Sequence, residues 1–320
     1  MTPRIGIVVI GRNEGERLHA CLGAVPFRAC DVVYVDSGST DGSLEMAERC
    51  GAVGLALDAA GQFTAGRARN AGVRALLAIA PAVEFVQFLD GDCELDRDWL
   101  GNGLAFLWQN PRHAVVCGRV RERDPERSVF NRLCDWEWQT PAGEVKACGG
   151  NALVRVSAFR AVGGFREELI AGEEPEMCLR LRQAGWQVHR LATEMVLHDA
   201  AMTRFSQWWL RTTRSGHAFA EGAWLHGLGR ERHWVRETLR AVFFGGLLPL
   251  AAIVLSATLG AWFLLLLLLY PVHVLRLSRE QGGFTRAFYL VLGRFPEFLG
   301  VLRFVARRLG HVPPRLIEYK

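Results

Sequence analysis

The sequence predicts an α/β fold, a mixed and mainly parallel sheet flanked by helices, with a hydrophobic helical membrane segment towards the C-terminus. Two observations carry this reading. Short apolar runs alternate with helix-length segments through the first 120 residues, the βαβα order that builds a parallel sheet covered on both faces. Further on, Ala241–Leu275 runs for 35 residues without one Asp, Glu, Lys or Arg.

The strands are Ile5–Ile10, Asp31–Asp36, Val53–Leu57 and Glu84–Leu89, each a short apolar run rich in Val, Ile, Leu or Phe. Between them Glu14–Val25, Asp41–Cys50 and Thr64–Ala80 are long enough for helices and rich in Ala, Leu, Arg and Glu. In such a sheet the ligand crevice lies at the carboxyl ends of the strands. The turns to inspect are therefore Arg12-Asn13-Glu14, Asp36–Ser43 and Asp90-Gly91-Asp92. Past residue 120 the pattern loosens into a charged loop, Arg121–Arg127, and an aromatic-rich stretch, Phe130–Trp138. Ala147–Val154 reads as a strand entered through Gly149-Gly150. Glu173–Gln183 reads as a helix with Arg180 and Arg182 on its exposed side, and Thr203–Glu221 as a helix dense in Trp and Arg.

At about 150 residues per domain, 320 residues suggest two units, read as 1–225 and 226–320. Residues 1–240 hold 29 basic and 30 acidic residues, so no nucleic-acid partner is expected; the net positive charge sits from Ala241 onward. A transmembrane helix needs about 20 apolar residues, and Ala241–Leu275 exceeds that. Gly245-Gly246, Pro249, Gly260 and Pro271 offer places to break it. Arg236 and Arg240 precede the run and Arg276, Arg279 and Arg286 follow it, so a helical hairpin keeps both basic flanks on one side. Phe284–Leu309, with its spaced Arg residues and an interruption at Pro296, suits an amphipathic helix on anionic headgroups; an ordinary surface helix is the plainer account. The eight Cys are scattered with no CxxC, and the chain enters its first strand after a single Arg. Both features suggest reduced thiols and a cytoplasmic location for the first 240 residues.

The sharpest chemical feature is Phe88-Leu89-Asp90-Gly91-Asp92. Two carboxylates one residue apart, straight after a buried strand, are hard oxygen ligands suited to Mg²⁺ or Mn²⁺. The same triplet also serves as a plain turn and helix cap. Its context separates the two readings. Ile7–Glu14 (IVVIGRNE), Val33–Ser43 (VYVDSGSTDGS), Gly66–Gly72 (GRARNAG) and Phe88–Asp92 (FLDGD) follow in order at the ends of successive strands.

This ordered set resembles the GT-A glycosyltransferases of family 2. The likeness continues through Gly149-Gly150-Asn151, Gly163-Gly164-Phe165 and Gly172-Glu173-Glu174 to Arg180-Leu181, and so covers about residues 4–220. The membrane-associated, exopolysaccharide and lipid-linked branch is similar through His198, Gln207–Gly216, the hydrophobic tail and Ile317–Lys320. The resemblance implies an inverting transfer of sugar from a nucleotide-sugar donor, a UDP-sugar first, to a lipid-linked acceptor. It also implies a divalent cation, Mg²⁺ or Mn²⁺, and a catalytic domain on the cytoplasmic side of the cell inner membrane.

Roles follow position by position. Asp36 stands where the family receives the base or ribose, and Ser37 replaces a second Asp. Arg12 occupies a position that is often aromatic, and a guanidinium also stacks on a base; Asn13 and Glu14 complete that turn. Arg67 and Arg69, ahead of Asn70, either face the diphosphate or form a solvated helix face. Asp90 and Asp92 bind the metal and the donor, with His198 as a third ligand or an ordinary hydrogen-bonding His. In the acidic pair, Glu174 occupies the family's Asp position and is the first choice as base, with Glu173 second. A cap of acids at a helix N-terminus is the plainer account of both. Gln207–Arg211 resembles the QxxRW of processive synthases in scrambled order, so polymerisation is not expected. Two rivals remain. A nucleotidyltransferase would release pyrophosphate, and the Gly-rich loop it needs after the first strand is missing; an inactive membrane-anchored scaffold would bind nucleotide sugar without turnover.

Overall fold

A computed structural model describes residues 4–280 and 283–310. Among them lie nine strands: β1 (Arg4–Gly11), β2 (Asp31–Asp36), β3 (Val53–Ala56), β4 (Val83–Asp90), β5 (Cys93–Leu95), β6 (His113–Glu122), β7 (Gly143–Glu144), β8 (Ala152–Arg155) and β9 (Gln187–His198). Helices α1 (Glu16–Gly23), α2 (Ser43–Arg49) and α3 (Ala65–Ile79) fill the gaps between the first four strands. Then come α4 (Trp99–Gln109), α5 (Val129–Trp138), α6 (Val156–Ala161), α7 (Glu173–Gln183) and α8 (Phe205–His226). The apolar region forms α9 (Val235–Leu259) and α10 (Ala261–Glu280), followed by α11 (Phe284–Leu292) and α12 (Arg294–Leu309).

The chain falls into two compact units, one of residues 1–169 and 173–203, the other of 170–172 and 204–320. In the first unit the sheet runs β3-β2-β1-β4-β8-β6-β9-β5, with β7 paired to β9. β3, β2, β1 and β4 are mutually parallel, as the βαβα pattern requires; antiparallel β8 then changes the sheet to mixed. Ile7, Val8, Val9, Val33, Val35, Phe88 and Leu89 form its buried centre. Gln87, a polar residue inside β4, is buried because the Trp99 indole N–H donates to its side-chain oxygen at 2.8 Å.

Two local readings are corrected, and one unassigned stretch gains its element. Ala147–Val154 is not one strand: Gly149 sits at φ 81°, which breaks extended pairing, and β8 starts only at Ala152. The aromatic-rich stretch after the charged loop is a helix, capped by Ser128, whose hydroxyl accepts from Asn131 N–H at 3.0 Å. Arg180 is not an exposed residue of α7. Its guanidinium grips Glu176 at 2.7 Å and donates to the carbonyls of Val162 and Gly164, because Glu176 is buried and must be paired.

In the second unit α9 and α10 are long and apolar enough to cross a membrane. The break between them is at Gly260, φ 126°, a conformation that L side chains rarely adopt. Leu250, Ile253, Trp262, Leu265 and Val272 are among their exposed apolar residues. The interruption expected at Pro296 is at Gly293 instead; Pro296 lies in the first turn of α12, where a missing N–H leaves no helical bond unmade. α8 and α12 approach through glycines. A Cβ on Gly300 would lie 2.1 Å from Thr213 O, and one on Gly216 2.0 Å from Glu297 O. Gly300→Val is therefore expected to push these helices apart and cost about 1–3 kcal/mol, read as a lowered denaturation midpoint. The motif Ile317–Lys320 lies outside the described residues.

Candidate active site

β1 has β2 on one side and β4 on the other, so the turns after β1 and β4 part at a topological switch point. Gly91 N–H donates to Ile10 O at 2.8 Å and holds the two turns together. A Cβ there would meet Ile10 O at 3.2 Å and Glu14 Cγ at 3.3 Å, which explains the glycine between the two Asp residues.

Arg12, Asn13 and Glu14 divide the work of the first turn. Asn13 takes φ 53°, tolerated by Asn, and its side-chain oxygen accepts from Thr40 N–H at 2.8 Å, tying this turn to the one after β2. Glu14 is buried against Arg17 at 2.6 Å. The Arg12 guanidinium lies 5.6 Å from the Phe63 ring centre, so a stacking surface exists that the sequence did not single out. In the second turn the Asp36 carboxylate accepts from Gly38 N–H at 3.0 Å and Ser39 N–H at 2.8 Å. Ser37 N–H donates to Gly11 O at 3.0 Å. Both residues shape their own turn at the crevice edge.

Arg69 is the hub of the acids. One guanidinium nitrogen is 2.8 Å from Asp90 Oδ1 and another 2.7 Å from Glu173 Oε1. A fully buried guanidinium needs such partners, and the two carboxylates need it between them. Gly150 caps the arrangement: a Cβ there would stand 2.5 Å from Asp90 Oδ2 and 2.7 Å from an Arg69 nitrogen. Gly150→Ala is therefore expected to displace Asp90 and lower kcat at least about tenfold, with the melting temperature changed far less than the rate.

Glu174 points deeper. Its Oε1 accepts from Cys148 N–H at 2.5 Å and from the Cys178 thiol at 3.0 Å. Burial pushes its carboxyl above the usual range, only partly offset by the hydrogen bonds from Cys148 and Cys178.

The second half of the site is Asp92 with His198. Cys93 on β5 pairs with His198 on β9, which places the two residues side by side. His198 Nε2 is 3.6 Å from Asp92 Oδ2, beyond a good hydrogen bond. On its other side His198 Nδ1 meets Glu122 Oε2 at 3.1 Å, and the Trp138 ring lies edge-on at 4.5 Å. No motif marks Glu122, which is buried and also accepts from the Asn131 side-chain amide and from Ala200 N–H. Such a carboxylate–imidazole pair is the usual support for a metal-ligating His. Two ligands on one six-coordinate ion stand about 3 Å apart, so the Asp92–His198 spacing suits a shared divalent ion, with Asp90 one turn position away. Imidazole in the set favours Mn²⁺ over Mg²⁺. The Cys21 thiol, 3.7 Å from the Asp90 carbonyl, is pushed up by burial first and then by Asp92 and Asp90.

Two residues stand apart from this cluster. Arg67 folds back on its own loop, donating to Gln62 O at 3.3 Å. Asn70 clamps the Gly163–Phe165 segment, donating to Phe165 O at 2.8 Å and accepting from Phe165 N–H at 3.0 Å. A cavity of about 800 Å³ beside Asn70, Arg74, Phe159 and Glu167 contains none of the clustered carboxylates.

Residues 6–163 match the family model described as glycosyl transferase family 2. Glycosyltransferase AglE of Haloferax volcanii is 27% identical over 58% of this chain and 64% of its own length. The pre-mycofactocin glycosyltransferase of Mycobacterium tuberculosis is 31% identical over 50% of this chain and 35% of its own. The chain thus spans less than two thirds of either relative. A mannosyltransferase of Pyrobaculum calidifontis, solved with GDP-Man and Mn²⁺, superposes with a TM-score of 0.66 over 95% of this chain and 88% of that one. At 19% identity that likeness is one of fold.

Proposed function

The chain belongs to glycosyl transferase family 2 through residues 6–163, and on that premise we propose that it is a membrane-associated, inverting glycosyltransferase. It moves a sugar from a nucleotide donor to a lipid-linked acceptor in cell-surface polysaccharide or glycolipid synthesis. The observation that carries the reading is the convergence of Asp90, Arg69 and Glu173 on one side of Gly91 and Asp92 with His198 on the other, at the carboxyl ends of β1 and β4.

In this reading Asp36 and Ser37 receive the ribose or base, and Arg12, backed by Phe63, covers the base face. Asn13 and Glu14 hold that turn, while Arg67 and Asn70 stand at the donor's edge. Asp90, Asp92 and His198 would hold a divalent ion, which supplies charge neutralisation for the departing nucleoside diphosphate. Glu122 keeps the His198 ring turned towards Asp92. Glu174 takes the proton as the acceptor hydroxyl attacks the anomeric carbon, the C–O bond to the diphosphate breaking from the opposite face. Its two accepted hydrogen bonds both fall on Oε1, so Oε2 is the oxygen assigned to the hydroxyl. Glu173, tied to Arg69, sets the entry of that helix and is the second choice as base.

Residues 1–225 are the proposed catalytic domain and 226–320 the membrane-associated region. α9 and α10 enter the cell inner membrane as a hairpin, with Arg236, Arg240, Arg276 and Arg279 on the cytoplasmic side. Their exposed apolar residues favour an acceptor carried by a lipid. The donor is a UDP-sugar first; the GDP-Man held by the mannosyltransferase of similar fold makes GDP-sugars the second choice. The test is transfer by the purified full chain from a panel of UDP-, GDP- and dTDP-sugars, with and without chelator. Activity should need added Mn²⁺ or Mg²⁺ and vanish in Asp92→Ala. Wild-type rates in Asp92→Ala, or release of pyrophosphate, would overturn the reading.

A further inference from the structure

At the end of β6 remote from His198, three side chains from three strands meet. His113 opens β6, Glu144 ends β7 and His189 lies in β9, directly opposite Glu144 in the antiparallel register. His113 Nε2 is 2.7 Å and His189 Nδ1 3.1 Å from the same oxygen, Glu144 Oε1. All three donor atoms fall within 4.8 Å of one another. We infer that this trio is a second metal site, separate from the Asp90/Asp92 cluster, for a borderline divalent ion of the zinc class.

The donor set decides the class. Two imidazoles and one carboxylate suit Zn²⁺ and Co²⁺, whereas Mg²⁺ takes oxygen ligands. Four-coordinate zinc bonds of about 2.1 Å set ligand atoms roughly 3.4 Å apart, so the 2.7 and 3.1 Å contacts to Glu144 would lengthen by up to about 0.7 Å while the two ring nitrogens, within 4.8 Å of each other, close on the ion. Both rings are already oriented by Phe106, stacked on His189 at 4.4 Å and edge-on to His113 at 4.9 Å. The Glu144 side chain is 53% exposed, which leaves an entry path and room for a water as fourth ligand. Glu122, the partner of His198, closes the same strand that His113 opens. At about 3.3 Å per residue the two sites are roughly 30 Å apart, so this ion would join strands β6, β7 and β9 rather than take part in transfer. Among the described residues His113 Nδ1 has no hydrogen-bond partner. A ligating His without that support loses about 10- to 100-fold in affinity, so binding here is expected to be weaker than at a fully braced site.

The test uses the full chain, stripped with chelator and titrated with Co²⁺, whose visible absorption reports coordination. An Asp92→Asn background removes binding at the other cluster. In that background Co²⁺ is expected to bind with a tetrahedral spectrum and Zn²⁺ to raise the melting temperature. Both signals should disappear when Glu144→Gln or His189→Ala is added. Glu144→Gln changes a half-exposed side chain to one of equal size, and a metal-free melting curve matching the parent keeps the comparison sound. Unchanged Co²⁺ binding in both variants, or no Co²⁺ binding in the Asp92→Asn parent, would overturn the assignment.

Discussion

Glu174→Gln is expected to lower kcat by about 10²- to 10⁴-fold, the usual worth of a positioned general base, while the protein stays folded. The amide oxygen of Gln still accepts from Cys148 N–H, so the buried amide is not orphaned. The pH dependence gives the sharper check. Burial raises the Glu174 carboxyl above the usual Glu value of about 4.3, and a base must be ionised to work. The acid limb of kcat/KM should therefore lie above that value, with activity falling as pH drops through it. Stability runs the other way. A raised folded-state pKa contributes stability that is complete below the unfolded value and is lost as pH rises through the folded one. Ionised Glu174 thus weakens the fold at neutral pH, and the Gln variant should melt no lower than wild type there. Full activity in Glu174→Gln with loss in Glu173→Gln would transfer the role to Glu173.

Arg69→Ala is expected to cost on the order of 3–5 kcal/mol and to abolish transfer. The Arg69 side chain is 4% exposed and stands between Asp90 and Glu173. Without it two carboxylates face each other across a hole with no cation to hold them, and Asp90 loses the bond that aims it. Lys is not expected to rescue, since a single ammonium lacks the fork that reaches both acids at once. Thermal melting and a rate assay check the two halves of this expectation separately. A variant that melts normally yet is inactive would make Arg69 a ligand for the donor rather than a brace for the acids.

The sequence alone fixed the parallel half of the sheet. The shortness, turn-residue flanks and Val-, Ile- and Phe-rich content of β1, β2 and β4 favour buried strands over helix, and the helices between them follow from length and composition. Polar residues straight after a buried strand stand at its carboxyl end, and that rule marked Asp36, Asp90 and Asp92 for inspection. Similarity to a known family supplied the roles, and local pattern could not have done so. What stayed hidden depended on partners far apart in the chain. Arg69 reads as a diphosphate partner or a helix-face cation until the fold brings Glu173 against it, 104 positions away. Glu122 and Phe63 carry no motif and matter only for what they touch, His198 and Arg12. Arg180 reads as surface until Glu176 proves buried. The break at Gly260 was one of several candidates in the apolar tail, and backbone conformation chose it. Hydrophobic periodicity is a local property that sequence records, whereas the pairing of buried charges is decided only when tertiary packing removes water from around them.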